Sequence, residues 1–308
     1  MCDHCGCGEG AATTLLNLQT GKETVMRHLH DHAHDHIRDH NHDHDHDHSR
    51  DHSHDHDHPH DHDHHHHNHV HAHTTSSSAV VDIETRVLAK NDALARENRA
   101  WFKGREILAL NLVSSPGAGK TTLLERTIRD LASELNLFVI EGDQATANDG
   151  ARIRAAGAPA VQVNTGTGCH LEADMVARGL RELRPSAGSI VMIENVGNLV
   201  CPALFDLGER AKVVILSVTE GEDKPLKYPH MFKAAELMIL NKIDLLPHVD
   251  FDVGRSIANA CKVNPAISVL QLSARNGDGL DGWYAWLRRE AANVREAVFN
   301  SSPEPIER

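Results

Sequence analysis

Ser114-Ser115-Pro116-Gly117-Ala118-Gly119-Lys120-Thr121-Thr122 lies between an apolar run at 107–113 and the apolar pair Leu123-Leu124. A strand, a glycine-rich loop and a helix start in that order make a phosphate cradle. Loop N–H groups and the positive end of the helix dipole converge there on one anion. Gly117, Ala118 and Gly119 give the close backbone approach, Lys120 neutralises the β- and γ-phosphates, the Thr121 hydroxyl ligates Mg2+, and Thr122 extends the binding turn. Ser114 stands where the usual pattern has its first glycine.

Base identity is read from Leu237-Met238-Ile239-Leu240-Asn241-Lys242-Ile243-Asp244. An ionised Asp244 accepts two parallel N–H bonds, which matches guanine N1–H and the N2 amine but not adenine. Asn241 organises the loop, the Lys242 stem covers the base, and Ser273 and Ala274 open a loop whose N–H reaches guanine O6. GTP is therefore expected, against the alternative of a partition-type ATPase. Ile190-Val191-Met192-Ile193-Glu194-Asn195-Val196-Gly197 carries Glu-x-x-Gly, so Glu194 is assigned to the Mg2+ shell and Gly197 N–H to the γ-phosphate. Asn198 follows where Ras-like enzymes have the Gln that orients water, which implies slow hydrolysis to GDP and phosphate. In Glu141-Gly142-Asp143-Gln144, Asp143 either completes the Mg2+ environment or activates water; an ordinary strand-end turn is the alternative. Lys120, Asp143 and Glu194 are the candidate catalytic residues.

Three further groupings point to metal. Of 27 His, all but His4, His170, His230 and His248 fall within 28–73, interleaved with eleven Asp. Neutral imidazoles at this density offer many overlapping sites for Ni, Zn, Cu or Co, which suits loose storage. Cys2, Cys5 and Cys7 can converge in a tight loop through Gly6; with the Cys2 amine they suit planar Ni2+, with His4 tetrahedral Zn2+. Cys169-His170 follows a glycine-rich turn, and Cys201 lies four residues beyond Gly197. Each Cys alone reads as a small buried hydrophobe. The trio, with Cys201 tethered to the γ-phosphate sensor, reads as a metal site coupled to nucleotide state. Cys261 falls in a helical pattern and reads as core.

These residues need a scaffold, and its pattern is visible. Apolar runs at 107–113, 137–140, 160–163, 190–193, 212–218, 237–241 and 267–272 alternate with helix-length amphipathic stretches. That is the signature of strands buried on both faces of a parallel sheet, an α/β P-loop NTPase with flanking helices. A leading helix over 82–102 would share Ile83, Val87, Leu94 and Trp101 on one face, and a last helix runs from 280 to about 298. The expected division is a Cys-bearing tip and linker at 1–27, a disordered Asp/His segment and hinge at 28–78, and the GTPase domain at 79–308. The tract carries −9 of the chain's −13, so the remainder has no basic excess for nucleic acid. No run approaches a membrane span, no cleavable signal is visible, and clustered thiols suit a reducing cytoplasm.

Together, the Cys-x-x-Cys-x-Cys tip, the His tract, Ser-Ser-Pro-Gly-x-Gly-Lys-Thr-Thr, Glu-x-x-Gly, Asn-Lys-x-Asp and Cys169-His170…Cys201 resemble the HypB family of [NiFe]-hydrogenase maturation GTPases. The resemblance spans nearly the whole chain, and Ser114 and Glu194 are shared with that family. It implies a nickel metallochaperone that loads the hydrogenase large-subunit precursor, working with a small HypA-type zinc protein. It further implies a homodimer formed on GTP binding, with Cys169, His170 and Cys201 at a Ni/Zn site on the interface and Cys2, Cys5 and Cys7 as the tighter nickel site. The alternatives are a urease-type nickel GTPase, disfavoured by Ser114 and the Cys tip, and a metal-storage protein with a regulatory nucleotide domain.

Overall fold

The computed structural model describes residues 13–26, 76–143, 148–166 and 168–299; the Cys tip and the Asp/His tract lie outside the described residues. The described residues begin with strands β1 (Thr14–Asn17) and β2 (Glu23–Val25) and resume with helix α1 (Ser76–Lys103). Next come β3 (Leu108–Ser114), α2 (Lys120–Leu131), β4 (Leu137–Asp143), α3 (Asn148–Ala156), β5 (Ala160–Asn164), α4 (Ala173–Leu183) and β6 (Ile190–Glu194). The last part holds α5 (Cys201–Leu204), β7 (Ala211–Ser217), α6 (Lys224–Lys227), α7 (Pro229–Ala234), β8 (Leu237–Asn241), a 3-10 turn (Ile243–His248), α8 (Val253–Val263), β9 (Ser268–Gln271) and α9 (Leu280–Phe299).

The strands form one sheet in the order β2-β1-β5-β4-β6-β3-β7-β8-β9. From β5 to β9 every pairing is parallel. Every residue of β3, β6, β7 and β8 is buried, because helices cover both faces of the sheet. β9 is only partly buried, since an edge strand has a neighbour on one side alone. On one face Trp283 and Leu287 of α9 pack with Leu123 and Ile128 of α2, and Trp283 Nε1 donates to Thr127 Oγ1 at 2.9 Å. Parallel strands bring their C-terminal ends to one edge, so the loops after β3, β4, β6 and β8 meet there.

Two expectations need correction. The stretch before residue 27 is not simply a linker, because β1 pairs antiparallel with β5 and extends the sheet. The most buried stripe of α1 is shifted from the expected one: Val87 is 39% exposed and Leu94 and Trp101 are half-buried, whereas Asn91, Ala95, Asn98 and Phe102 are buried. The cause is hydrogen bonding. Asn91 Nδ2 donates to Asp206 O at 2.7 Å, and Ala173 N donates to Asn91 Oδ1 at 2.9 Å. Asn98 Nδ2 donates to Ala173 O and Leu207 O. Two amides thus tie α1 to the start of α4 and to the loop before β7.

Candidate functional site

The loop after β3 behaves as its sequence demands. Gly119 has φ 102°, and a Cβ there would collide with the Asn241 amide, so only glycine lets the phosphate loop and the base loop close on each other. Asn241 holds that closure: Nδ2 donates to Ala118 O at 2.8 Å, and Oδ1 accepts from Ala274 N at 3.1 Å. Lys242, at φ 63°, donates from Nζ to Gly117 O at 2.6 Å. Ser114 has a use the glycine of the common pattern lacks, since its hydroxyl accepts from Lys120 Nζ at 2.8 Å.

Two clefts share this loop. The first, of about 460 Å3, is lined by Gly117, Gly119, Lys120, Thr121, Thr122, Asp143, Glu194, Gly197 and Lys242 among the expected residues. The second, of about 440 Å3, is lined by Gly119, Thr122, Asn241, Lys242, Asp244 and Ala274. Gly119, Thr122 and Lys242 border both, so the two compartments adjoin at the loop. Two expected residues are off the walls: Ala118 is buried and acts through its carbonyl, and Ser273 is buried with its hydroxyl accepting from Asn276 N. Asp244 Oδ1 is buried without a hydrogen-bond partner, an acceptor held ready for N–H donors.

The acids at the phosphate end explain themselves electrostatically. Thr121 Oγ1 donates to Glu194 Oε1 at 2.7 Å, while Glu194 Oε2 and Glu141 Oε2 are buried without partners. Burial raises Glu194 to about 7, against the opposing pull of the Lys120 cation. Burial, then the neighbouring Glu194, Asp143 and Asp149 charges, pushes Glu141 up to about 9. Burial also lowers Lys120, with Glu194 opposing. Orphaned carboxylate oxygens beside the Thr121 hydroxyl fit a hard divalent cation, which would supply positive charge against the phosphates.

The sequence reading missed Glu141 as a wall residue, and also Asp149 and Arg152 of α3. Arg152 is tied to Glu125, Asp149 and the Thr122 hydroxyl, so α3 presents a guanidinium to the phosphate end. A carboxylate and an arginine three residues apart on a helix were the available signal.

Cys169, His170 and Cys201 do meet. Their ligand atoms all lie within 4.8 Å of one another, with the two Sγ atoms 2.8 Å apart and Cys169 Sγ 3.7 Å from His170 Nδ1. His170 packs against the Phe205 ring at a centroid distance of 3.8 Å, and its Nε2 is buried without a hydrogen-bond partner. Burial lowers its pKa to about 4, so the imidazole is neutral and ready to ligate near neutral pH. Three soft or borderline donors fit nickel or zinc. Cys261 is partly buried beside the core under α8. Cys2, Cys5 and Cys7 lie outside the described residues.

Residues 108–271 match the family model described as CobW/HypB/UreG, nucleotide-binding domain. The hydrogenase maturation factor HypB of Rhizobium leguminosarum bv. viciae is 61% identical over 217 residues, covering 70% of this chain and 73% of that protein. The HypB of Escherichia coli K12 is 58% identical over 215 residues, covering 70% and 74%. The chain belongs to the HypB family. Its fold agrees with two solved structures, each with a TM-score of 0.62 and 37% identity: HypB from Archaeoglobus fulgidus, covering 66% of this chain and 99% of that one, and HypB from Helicobacter pylori in complex with nickel, covering 66% and 96%. Among the described residues no helix is long and apolar enough to cross a membrane.

Proposed function

We propose that this protein is a slow GTPase that carries nickel to the [NiFe]-hydrogenase large-subunit precursor, its grip on the ion set by the bound nucleotide. The observation that carries this reading is a covalent short cut. Glu194, bonded to Thr121 of the phosphate loop, and Cys201, in contact with Cys169, are seven residues apart on one stretch of chain. Gly197 lies between them and packs on Pro116 of the phosphate loop, so release of the γ-phosphate frees a segment that ends in a thiolate ligand. Gly117 to Thr122 with Lys120 hold the phosphates, Asn241, Lys242 and Asp244 select guanine, and Thr121, Asp143 and Glu194 hold Mg2+. Asn198 in place of a water-orienting Gln supports slow turnover.

Three ligands per chain leave a four-coordinate ion incomplete, and Val200 and Leu204, flanking Cys201, are 55% and 54% exposed. Both facts support a GTP-dependent homodimer that closes on this face, with a HypA-type zinc protein and the hydrogenase precursor as later partners. Ni2+ is the cargo and Zn2+ a competitor at the trio. Cys2, Cys5 and Cys7 form a tighter nickel site, and residues 28–73 store nickel. Transfer of radioactive nickel from the full chain to the purified precursor tests the proposal. Transfer should need GTP and fail in Lys120→Ala and Cys201→Ala. Equal transfer with GTP, GDP or no nucleotide would refute it, and nickel-replete maturation that fails when 28–73 is deleted would refute a purely accessory storage role for the tract.

A further inference from the structure

Beyond the Cys201 tether, a second and non-covalent connection joins the nucleotide end to the metal loop. Leu171 follows His170 directly and is fully buried. Its side chain lies against the end of β4, where a Cβ on Gly142 would sit 2.7 Å from Leu171 Cγ. Its backbone N donates to Asn195 Oδ1 at 3.1 Å. Asn195 immediately follows Glu194, is 1% exposed, and also receives Val196 N on the same oxygen at 3.0 Å. The residue after the imidazole ligand is therefore gripped by both strand ends that carry the phosphate-facing acids.

The Asn195 amide has a second arm. Nδ2 donates to Asn111 Oδ1 at 3.2 Å, and Asn111 Nδ2 donates to Glu209 Oε1 at 3.1 Å. Lys212 Nζ lies 3.4 Å from Glu209 Oε1 and donates to Phe205 O at 2.9 Å. Phe205 carries the ring that packs on His170. One buried amide thus reaches the imidazole from two sides, through Leu171 along the chain and through the polar row to Phe205. Buried networks of this kind are discrete, since each member has few alternative partners away from water.

We infer that Asn195 is the positioning residue that transmits nucleotide state to Cys169 and His170, so that these two ligands respond to it as well as Cys201. This rests on the nucleotide-coupled metal reading above. Displacement of the Glu194–Gly197 segment drags the Asn195 amide, and Leu171 and Phe205 follow. Without Asn195 the covalent tether to Cys201 still acts, but the pull on Cys169 and His170 is lost, so the difference in metal affinity between nucleotide states shrinks.

The test uses the full chain carrying Cys2→Ala, Cys5→Ala and Cys7→Ala, so that thiolate-to-metal charge-transfer absorption reports on the trio alone. Ni2+ is held at set free concentrations by a chelator, which also fixes what the imidazole tract sees. Affinity is measured with GDP and with a non-hydrolysable GTP analogue. The parent should show a ratio between states of about fivefold or more, the ordinary range for linked sites. Asn195→Ala should bind nucleotide and nickel yet lower that ratio at least about twofold, towards unity without reaching it. By reciprocity the effect of nickel on nucleotide affinity should fall by the same factor. Gly142→Ala, which pushes directly on Leu171, should alter the ratio even where Asn195→Ala proves too unstable to purify. A folded Asn195→Ala with the parental ratio, or a Gly142→Ala with an unchanged one, overturns this inference and leaves the functional reading intact. A parental ratio of one overturns both.

Discussion

Replacing Glu141 by Gln should stabilise the nucleotide-free, metal-free protein, and increasingly so as pH rises. Glu141 is 2% exposed, has an oxygen without a partner, and sits near three other carboxylates. Its pKa is raised from 4.5 in the unfolded reference to about 9. Stability linked to a raised carboxyl pKa is complete below the unfolded value and is lost as pH climbs towards the folded one. In that window the unfolded chain releases the proton while the folded protein keeps it. The folded state then loses about 1.4 kcal/mol per pH unit, or about 3 kcal/mol between about pH 5.5 and about pH 8. Gln imitates the protonated carboxyl at every pH and removes this loss. Urea unfolding of both proteins, with chelator present, reads the difference directly. The variant should already lead by about 1 kcal/mol at about pH 5.5, and that lead should widen by about 3 kcal/mol by about pH 8. A gap that does not change with pH would refute the argument, because it would mean that Glu141 is already ionised in the folded protein.

Asp244→Asn should weaken GTP at least about tenfold and improve xanthosine triphosphate, because the amide offers a donor where the carboxylate accepted two; competition against a fluorescent guanine nucleotide measures it, and undiminished GTP affinity would remove Asp244 from the base site. Arg152→Ala should weaken the GTP analogue more than GDP, since its guanidinium lies at the phosphate end held by Glu125 and Asp149; equal losses for both nucleotides would make Arg152 structural. Asn98→Ala should cost about 1–3 kcal/mol in denaturant unfolding, because Ala173 O and Leu207 O lose their shared donor; a change below about 0.5 kcal/mol would mean water replaces the amide.

What the chain alone determined is local. Seven apolar runs separated by helix-length stretches sufficed for a parallel sheet, because strands covered on both faces must be apolar at nearly every position. The phosphate loop and the Asn-Lys-x-Asp turn are contiguous motifs whose geometry the backbone itself imposes, so the placement of Lys120, Thr121 and Asp244 on the cleft walls was legible without a structure. The rest depends on separations that no window along the chain contains. The β1–β2 hairpin was unreadable because four and three residues cannot show a period, and its pairing partner β5 is over a hundred residues away. Asn91 and Asn98 broke the apolar-face rule on α1 because their partners are loop carbonyls and amides that only tertiary packing brings near. Asn195 looked like a spacer between Glu194 and Gly197. Its importance comes from burial beside Leu171 and Asn111, where an amide must find partners and therefore binds two loops together.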